Sequence, residues 1–110
     1  MNSHRKTLII TVNFRQDQCT LRFLNSATKL GGFGSCHLLI VDNNSNESSV
    51  RSLRPAIAEF GNVELLALPQ NAGYFGGAKW ALRHYLERHR IPDWVVVCNN
   101  DVVLDDPRFL

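Results

Sequence analysis

The chain lacks most of the residues that announce ready-made chemistry. It has three cysteines, Cys19, Cys36 and Cys98, widely spaced and without a CxxC pair. Neither a cysteine zinc site nor a disulfide scaffold is indicated, and a reducing cytoplasm is the expected compartment. The four histidines, His4, His37, His84 and His89, show no HxxxH spacing. Packing or surface roles are expected of them rather than metal binding. There is no run of Lys and Arg, and the net charge is only +2. So weak a field gives no footprint for nucleic acid, and no such partner is expected. The apolar stretch Leu8-Ile9-Ile10-Thr11-Val12 is too short for a signal segment or a membrane span. Glycine-rich phosphate loops are missing too. After the first apolar run stands Asn13-Phe14-Arg15-Gln16-Asp17, with no GxGxxG, and no GxxxxGK[ST] occurs anywhere. A Rossmann dinucleotide site and a P-loop are both disfavoured.

What is present is a regular alternation. The 110 residues, 45% hydrophobic and 20% charged, suffice for one small domain with one core. Thr7 to Asn13 reads as a first strand. Gln16 to Leu30 reads as a helix with a stripe of Leu21, Leu24, Ala27 or Thr28, and Leu30, broken by Gly31-Gly32-Phe33-Gly34. Cys36 to Asp42 is a second strand. Asn44, with Glu47 three residues on, resembles a capping box and starts a second helix through Val50, Leu53, Ile57 and Phe60. Pro55 should kink or split that helix near Arg54. Val63 to Leu68 is a third strand. A third helix runs from about Gly73 to Arg88, with Phe75, Ala78, Leu82, Tyr85 and Leu86 on one face. Trp94-Val95-Val96-Val97-Cys98 is a fourth strand, and its unbroken apolar run suits an interior position covered on both faces.

The order β-α-β-α-β-α-β implies a Rossmann-like three-layer α/β/α fold around a parallel sheet, with expected strand order 3-2-1-4. Open sheets of this kind bind ligands at the carboxyl edge, where the winding reverses. Polar residues gather there: Thr11 and Asn13 after strand one, Asp42 to Asn46 after strand two, Asn71 after strand three, and Asn99-Asn100-Asp101 after strand four. Arg5, Lys6, Asn62 and Asp93, at the opposite edge, read as ordinary solvated residues.

Asp42 could accept hydrogen bonds from a base or ribose, or could simply bond its own turn. Without a backbone cradle, a diphosphate needs another counter-charge, and a divalent metal on Asp101 would supply it. Two unit charges ~4 Å apart attract by roughly 4 kcal/mol at an effective dielectric of 20, and a doubly charged ion touching two phosphates gains several times that before desolvation. Hard cations bind through one or two carboxylates plus substrate phosphates. Metal is therefore expected to bind weakly alone and tightly with nucleotide. Gly73, Gly76 and Gly77 at the start of helix three cost roughly 1 kcal/mol each inside a helix. Either a ligand or loop approaches closely there, or the helix starts later, near Ala78. Lys79 is expected to be solvated.

Four segments together resemble the N-terminal half of a family 2 glycosyltransferase with the GT-A fold, nearest its rhamnosyltransferase-like members. They are Leu8-Ile9-Ile10-Thr11-Val12-Asn13, Ile40-Val41-Asp42-Asn43-Asn44-Ser45, Asn71-Ala72-Gly73-Tyr74-Phe75-Gly76-Gly77, and Val96-Val97-Cys98-Asn99-Asn100-Asp101, in the family's order. The resemblance implies a nucleotide-sugar donor, UDP- or dTDP-linked. It implies that Thr11, Asn13, Asp42 and Asn44 hold base and ribose, that Asn71 and Gly73 border the pocket, and that Asn99 and Asn100 complete a DxD-like motif. Asp101 matches that motif's last carboxylate and would bind Mg²⁺ or Mn²⁺. Asn99 stands where many relatives have Asp, and Lys79 where an Asn is usual.

The family's acceptor half and catalytic base follow the motif, and this sequence ends nine residues past Asp101. The expectation is a truncated donor-binding half, inactive alone, whose base lies beyond Leu110. Asp105 and Asp106 are expected to be turn or cap residues. The complete enzyme would use a saccharide or lipid-linked acceptor, with peripheral membrane association. Strand four, left as an apolar edge or covered only by Val102-Val103-Leu104, would invite a second copy. Two alternatives stay open. A sugar-phosphate nucleotidyltransferase would want a Gly-rich, basic loop after strand one. A non-catalytic nucleotide-binding or interaction module of flavodoxin-like type would want, in its receiver version, an acceptor Asp after strand three, where Leu68-Pro69-Gln70 stands.

Overall fold

Every residue of two neighbouring strands is buried, and these strands form the spine of the molecule. They are β1 (Thr7–Asn13) and β2 (Cys36–Asn43). The computed structural model describes residues 7–43 and 47–101. Within them β1 is followed by α1 (Asp17–Ala27), a short 3-10 turn (Phe33–Ser35), β2, α2 (Glu47–Ile57), β3 (Val63–Leu68), α3 (Gly73–Leu86) and β4 (Trp94–Asn99). All pairings are parallel, and the sheet order is β3-β2-β1-β4, as the alternation predicts.

The sheet divides two apolar layers. On one face Ile9, Leu38 and Ile40 pack with Phe23, Leu24 and Ala27 of α1 and Ile57 of α2. On the other, Leu8, Ile10, Val12, Leu39 and Val41 pack with Ala78, Ala81 and Tyr85 of α3. Side chains alternate along a strand, so residues of β1 and β2 are shared between two cores. This is why neither strand shows polar alternation.

Several expectations need correction. Helix α1 ends at Ala27, and its buried face is Thr20, Phe23, Leu24 and Ala27, with Leu21 only half-buried. Helix α2 passes through Pro55 without splitting. The missing N–H falls in the last turn, where it removes one intrahelical bond, while Leu53 and Ile57 remain buried. Helix α3 does begin at Gly73, but its buried face is Gly77, Ala78, Ala81 and Tyr85. Phe75 is 82% exposed and Leu86 is also exposed. Small residues let the helix lie close to the sheet, and a Cβ on Gly77 would meet Val12 and Val41 at 3.5–3.6 Å. Asn62 is not merely solvated, because its amide donates to the carbonyls of Phe33 and Cys36, both at 2.9 Å.

Strand β4 is not interior. Among the described residues it pairs only with β1, and Trp94, Val95 and Val97 are exposed. Val96 and Cys98 pack against the α1–α2 layer, whereas α3 lies over β1 and β2, so that among the described residues no helix covers the other side of β4. The possible capping residue Asn44, together with Val102-Val103-Leu104, Asp105 and Asp106, lies outside the described residues.

Candidate functional site

At the carboxyl edge of the sheet a cavity of about 340 Å³ opens. It is lined by Val12, Phe14 and Gln16 after β1, Asn43 at the end of β2, Asn71, Gly73 and Tyr74 at the start of α3, and Asn99, Asn100 and Asp101 after β4. Of the residues singled out by sequence, Asn71, Gly73, Asn99, Asn100 and Asp101 come together here. Thr11, Asn13 and Asp42 do not line it. They are buried on the α1–α2 side of the sheet, and Asn44 is outside the described residues.

A one-residue alternation decides this. In β2, Leu38, Ile40 and Asp42 share one face, while Leu39, Val41 and Asn43 share the other. Asn43 therefore faces the cavity and Asp42 faces away. Asn43 is 2% exposed. Its Nδ2 donates to the Gly73 carbonyl at 2.9 Å, and its Oδ1 accepts from the Ala72 N–H at 2.8 Å. The Asn71 Oδ1 accepts from the Gly73 N–H at 2.8 Å, and Gly73 sits at φ +77°, where a Cβ is disfavoured. One wall of the cavity is thus a loop gripped at two points from β2.

The opposite wall rests on a buried polar chain. The Asn13 Nδ2 donates to Asp42 Oδ1 at 3.0 Å and to Asp17 Oδ1 at 3.2 Å. Both carboxyl oxygens accept here, so they fix which way the Asn13 amide lies. Its Oδ1 then accepts from the Thr20 hydroxyl at 2.7 Å, and the Thr20 oxygen accepts from Asn100 Nδ2 at 2.9 Å. Ser52 donates to the other oxygen of Asp17 at 3.1 Å. Thr20 and Asn13 are fully buried and Asn100 nearly so. Thr11 also serves structure, its hydroxyl donating to the Cys98 carbonyl at 3.0 Å and tying β1 to β4.

Among the described residues, Asp101 is the only carboxylate lining this cavity, and no group of three His, Cys, Asp or Glu side chains comes together to hold a metal. The donor set is one exposed carboxylate beside amide oxygens. That suits a hard cation completing its shell with phosphate oxygens, and it does not suit a metal held by protein alone. Burial, and behind it the charges of Cys98 and Asp101, pushes the Tyr74 phenol above its ordinary range. Tyr74 is therefore a neutral hydrogen-bond donor at physiological pH. Burial also pushes the Cys98 thiol up, away from the thiolate that nucleophilic chemistry needs. Lys79 is exposed and lies off the cavity.

Asn43, Thr20, Phe14, Gln16 and Tyr74 were not singled out by the sequence reading as site residues. Asn43 and Tyr74 lie inside the quoted motifs, so only the phase of each element was missing. Thr20 carried no signal, because its partner Asn100 stands 80 positions away.

Comparison with known proteins gives a family and a fold. A family model described as "Glycosyltransferase like family 2" matches residues 4–110. No curated protein sequence matches. Among solved structures, the mannosyltransferase PcManGT from Pyrobaculum calidifontis, in complex with GDP-Man and Mn²⁺, superposes with a TM-score of 0.80 at 15% identity. The match covers 96% of this chain and 30% of that one. Residues 1–349 of TarS from S. aureus superpose with a TM-score of 0.74 at 18% identity, covering 91% of this chain and 28% of that one. At such identities the likeness shows the fold, a Rossmann-like sheet of GT-A type. The chain spans less than a third of the length of these structures.

Proposed function

The chain belongs to the glycosyltransferase-like family 2, and on that premise we propose that the cavity takes the nucleoside diphosphate of a sugar donor, with Asp101 holding Mg²⁺ or Mn²⁺ against the diphosphate. The observation that carries this is the meeting of Asp101 with Asn43, Asn71, Gly73, Asn99 and Asn100 in one cavity at the carboxyl edge. The GDP-Man and Mn²⁺ in PcManGT are in keeping with it.

On this reading Asp101 would hold the cation, with Asn99 and Asn100 beside it in the motif, and Asn71, Gly73 and Tyr74 would border the nucleotide. Thr11, Asn13 and Asp42 act from beneath, holding the strand ends in place. The open face of Phe14, 40% exposed, offers a stacking surface to a base. A divalent cation there would supply positive charge for the departing nucleoside diphosphate. The cavity walls would hold that group by hydrogen bonds from their amides.

In the whole protein the donor is UDP- or dTDP-linked and the acceptor is a saccharide or lipid-linked hydroxyl that attacks the anomeric carbon. The base comes from outside the described residues. No helix among the described residues is long and apolar enough to cross a membrane. Cytoplasmic placement, peripheral attachment and pairing of copies through β4 complete the proposal.

Calorimetry tests it. UDP, dTDP and GDP are titrated with and without Mn²⁺ into the wild-type chain and Asp101→Ala. We expect Mn²⁺ to tighten binding of at least one nucleotide in the wild type and Asp101→Ala to abolish that gain. Equal affinity with and without metal for all three refutes the reading.

A further inference from the structure

Asn100 is 5% exposed, whereas Asn99 and Asp101 on either side of it are exposed and face the cavity. Anchoring the middle residue inward presents its two neighbours outward. The anchor is one bond, from Asn100 Nδ2 to the Thr20 oxygen. Thr20 lies in the second turn of α1, on a different element and outside every motif segment. Its hydroxyl is spent in both directions, accepting from Asn100 and donating to Asn13, and Asn13 is fixed in turn by Asp17 and Asp42. Strand β4 has no partner on its other side among the described residues, and its last residue paired with β1 is Asn99, opposite Val12, so Asn100 stands just past the paired strand.

We propose that Thr20 is a positioning residue, which sets the turn carrying Asp101 by joining Asn100 to Asn13. The proposal rests on the donor-binding reading for its functional meaning, but not for its mechanical one. A buried hydroxyl bridging two amides fixes a geometry that a methyl group of the same size would not.

The test uses the 110-residue chain and four variants: Thr20→Val, which keeps the shape and loses the hydroxyl; Thr20→Ser, which keeps the hydroxyl; Asn100→Ala; and Thr20→Val/Asn100→Ala. The first readout needs no ligand. Backbone ¹⁵N order parameters at Asn100 and Asp101 are expected to drop from the rigid range near ~0.85 to below ~0.6 in Thr20→Val and Asn100→Ala, and to hold in Thr20→Ser. The second readout is the factor by which Mn²⁺ tightens UDP, dTDP or GDP. We expect it to fall about tenfold in both single variants, as loss of one buried hydrogen bond implies, with metal-free affinity unchanged in Thr20→Val, which lies off the cavity. The double variant should lose no more than either single one, since both cut the same link. If Thr20→Val does not fold, Asn100→Ala carries the same expectation, because it leaves Thr20 bonded to Asn13.

Unchanged order parameters overturn the proposal. So does an unchanged metal factor with lowered order, or additive losses in the double variant. If order falls as expected but the wild type shows no metal effect at all, the donor reading fails while the anchoring by Thr20 stands.

Discussion

Removal of the Asn43 side chain tests how the cavity wall is held. Asn43→Ala cuts two hydrogen bonds, to the Gly73 carbonyl and the Ala72 N–H, at 2.9 and 2.8 Å. A net hydrogen bond contributes about 1 kcal/mol, and a buried group left without a partner costs ~1–3 kcal/mol more. Ala72 and Gly73 are themselves exposed, so water can take over both backbone groups. The larger penalty therefore does not apply, and the loss should be about 2 kcal/mol. With an unfolding entropy of ~2.1 cal/mol/K per residue, that lowers Tm by about 9 °C. Urea unfolding followed by Trp80 and Trp94 fluorescence measures the loss. Asn43→Asp sharpens the argument. It keeps the acceptor for Ala72 but sets a carboxylate against the Gly73 carbonyl, which raises the folded-state pKa above the ~3.9 of the unfolded chain. The folded state then binds the proton more tightly. Stability of this variant should rise as pH falls through the raised value, and the gain should be complete below ~3.9, where the protonated acid can donate to Gly73. A loss under ~0.5 kcal/mol for Asn43→Ala, or no acid recovery in Asn43→Asp relative to wild type, would refute the two-point grip.

Two glycines of the same segment should respond in opposite directions. Gly73→Ala forces a Cβ into φ +77° and should cost ~1–2 kcal/mol, whereas Gly77→Ala, with ordinary contacts to Val12 and Val41, should gain ~0.5–1 kcal/mol from helix propensity. Thermal unfolding of both variants checks the signs, and equal signs contradict the assigned backbone. Glu64 lies between His84 (2.6 Å) and His37 (3.3 Å). Burial pushes its carboxyl up, but the hydrogen bonds and charges of the two histidines outweigh burial and hold it below the usual range. Its contribution is present above the unfolded value of ~4.3 and is lost as pH falls through the lower folded value. Glu64→Gln should accordingly flatten the acid limb of the stability profile, and an unchanged limb would count against the triad.

The fold was largely legible because each strand is a dense apolar run closed by polar residues, and each helix is bounded by glycine, proline or asparagine. Thr7–Asn13 and Val63–Leu68 stand where the pattern puts them. What did not show was the phase of the exits. A strand that is apolar on both faces gives no clue to which side its last residue takes, so it could not be read that Asn43, and not Asp42, lines the cavity. The α3 face was misread for a related reason. Phe75 is larger than Ala78 and Ala81 and weighs more in any hydrophobic count, yet close helix–sheet approach selects the small residues and leaves Phe75 outside. The run in β4 suggested an interior place because valine density reports β-preference as much as burial. At the site, the residues of the Asn99-Asn100-Asp101 turn were readable as a group. Their support was not, since it is assembled from α1, β1 and β2 through side chains far apart in sequence.

The direction of hydrogen bonding in that support carries an electrostatic consequence. Two acids at its root orient the first amide, that amide orients a hydroxyl, and the hydroxyl draws the nitrogen of Asn100 inward. The oxygen of Asn100 is then the branch of the amide turned away from Thr20. The lie of that amide is thereby set from inside the protein, through Thr20 and Asn13. Among the described residues Asp101 is the one carboxylate lining the cavity, so on the donor-binding proposal a bare diphosphate would be repelled there unless a positive ion came with it.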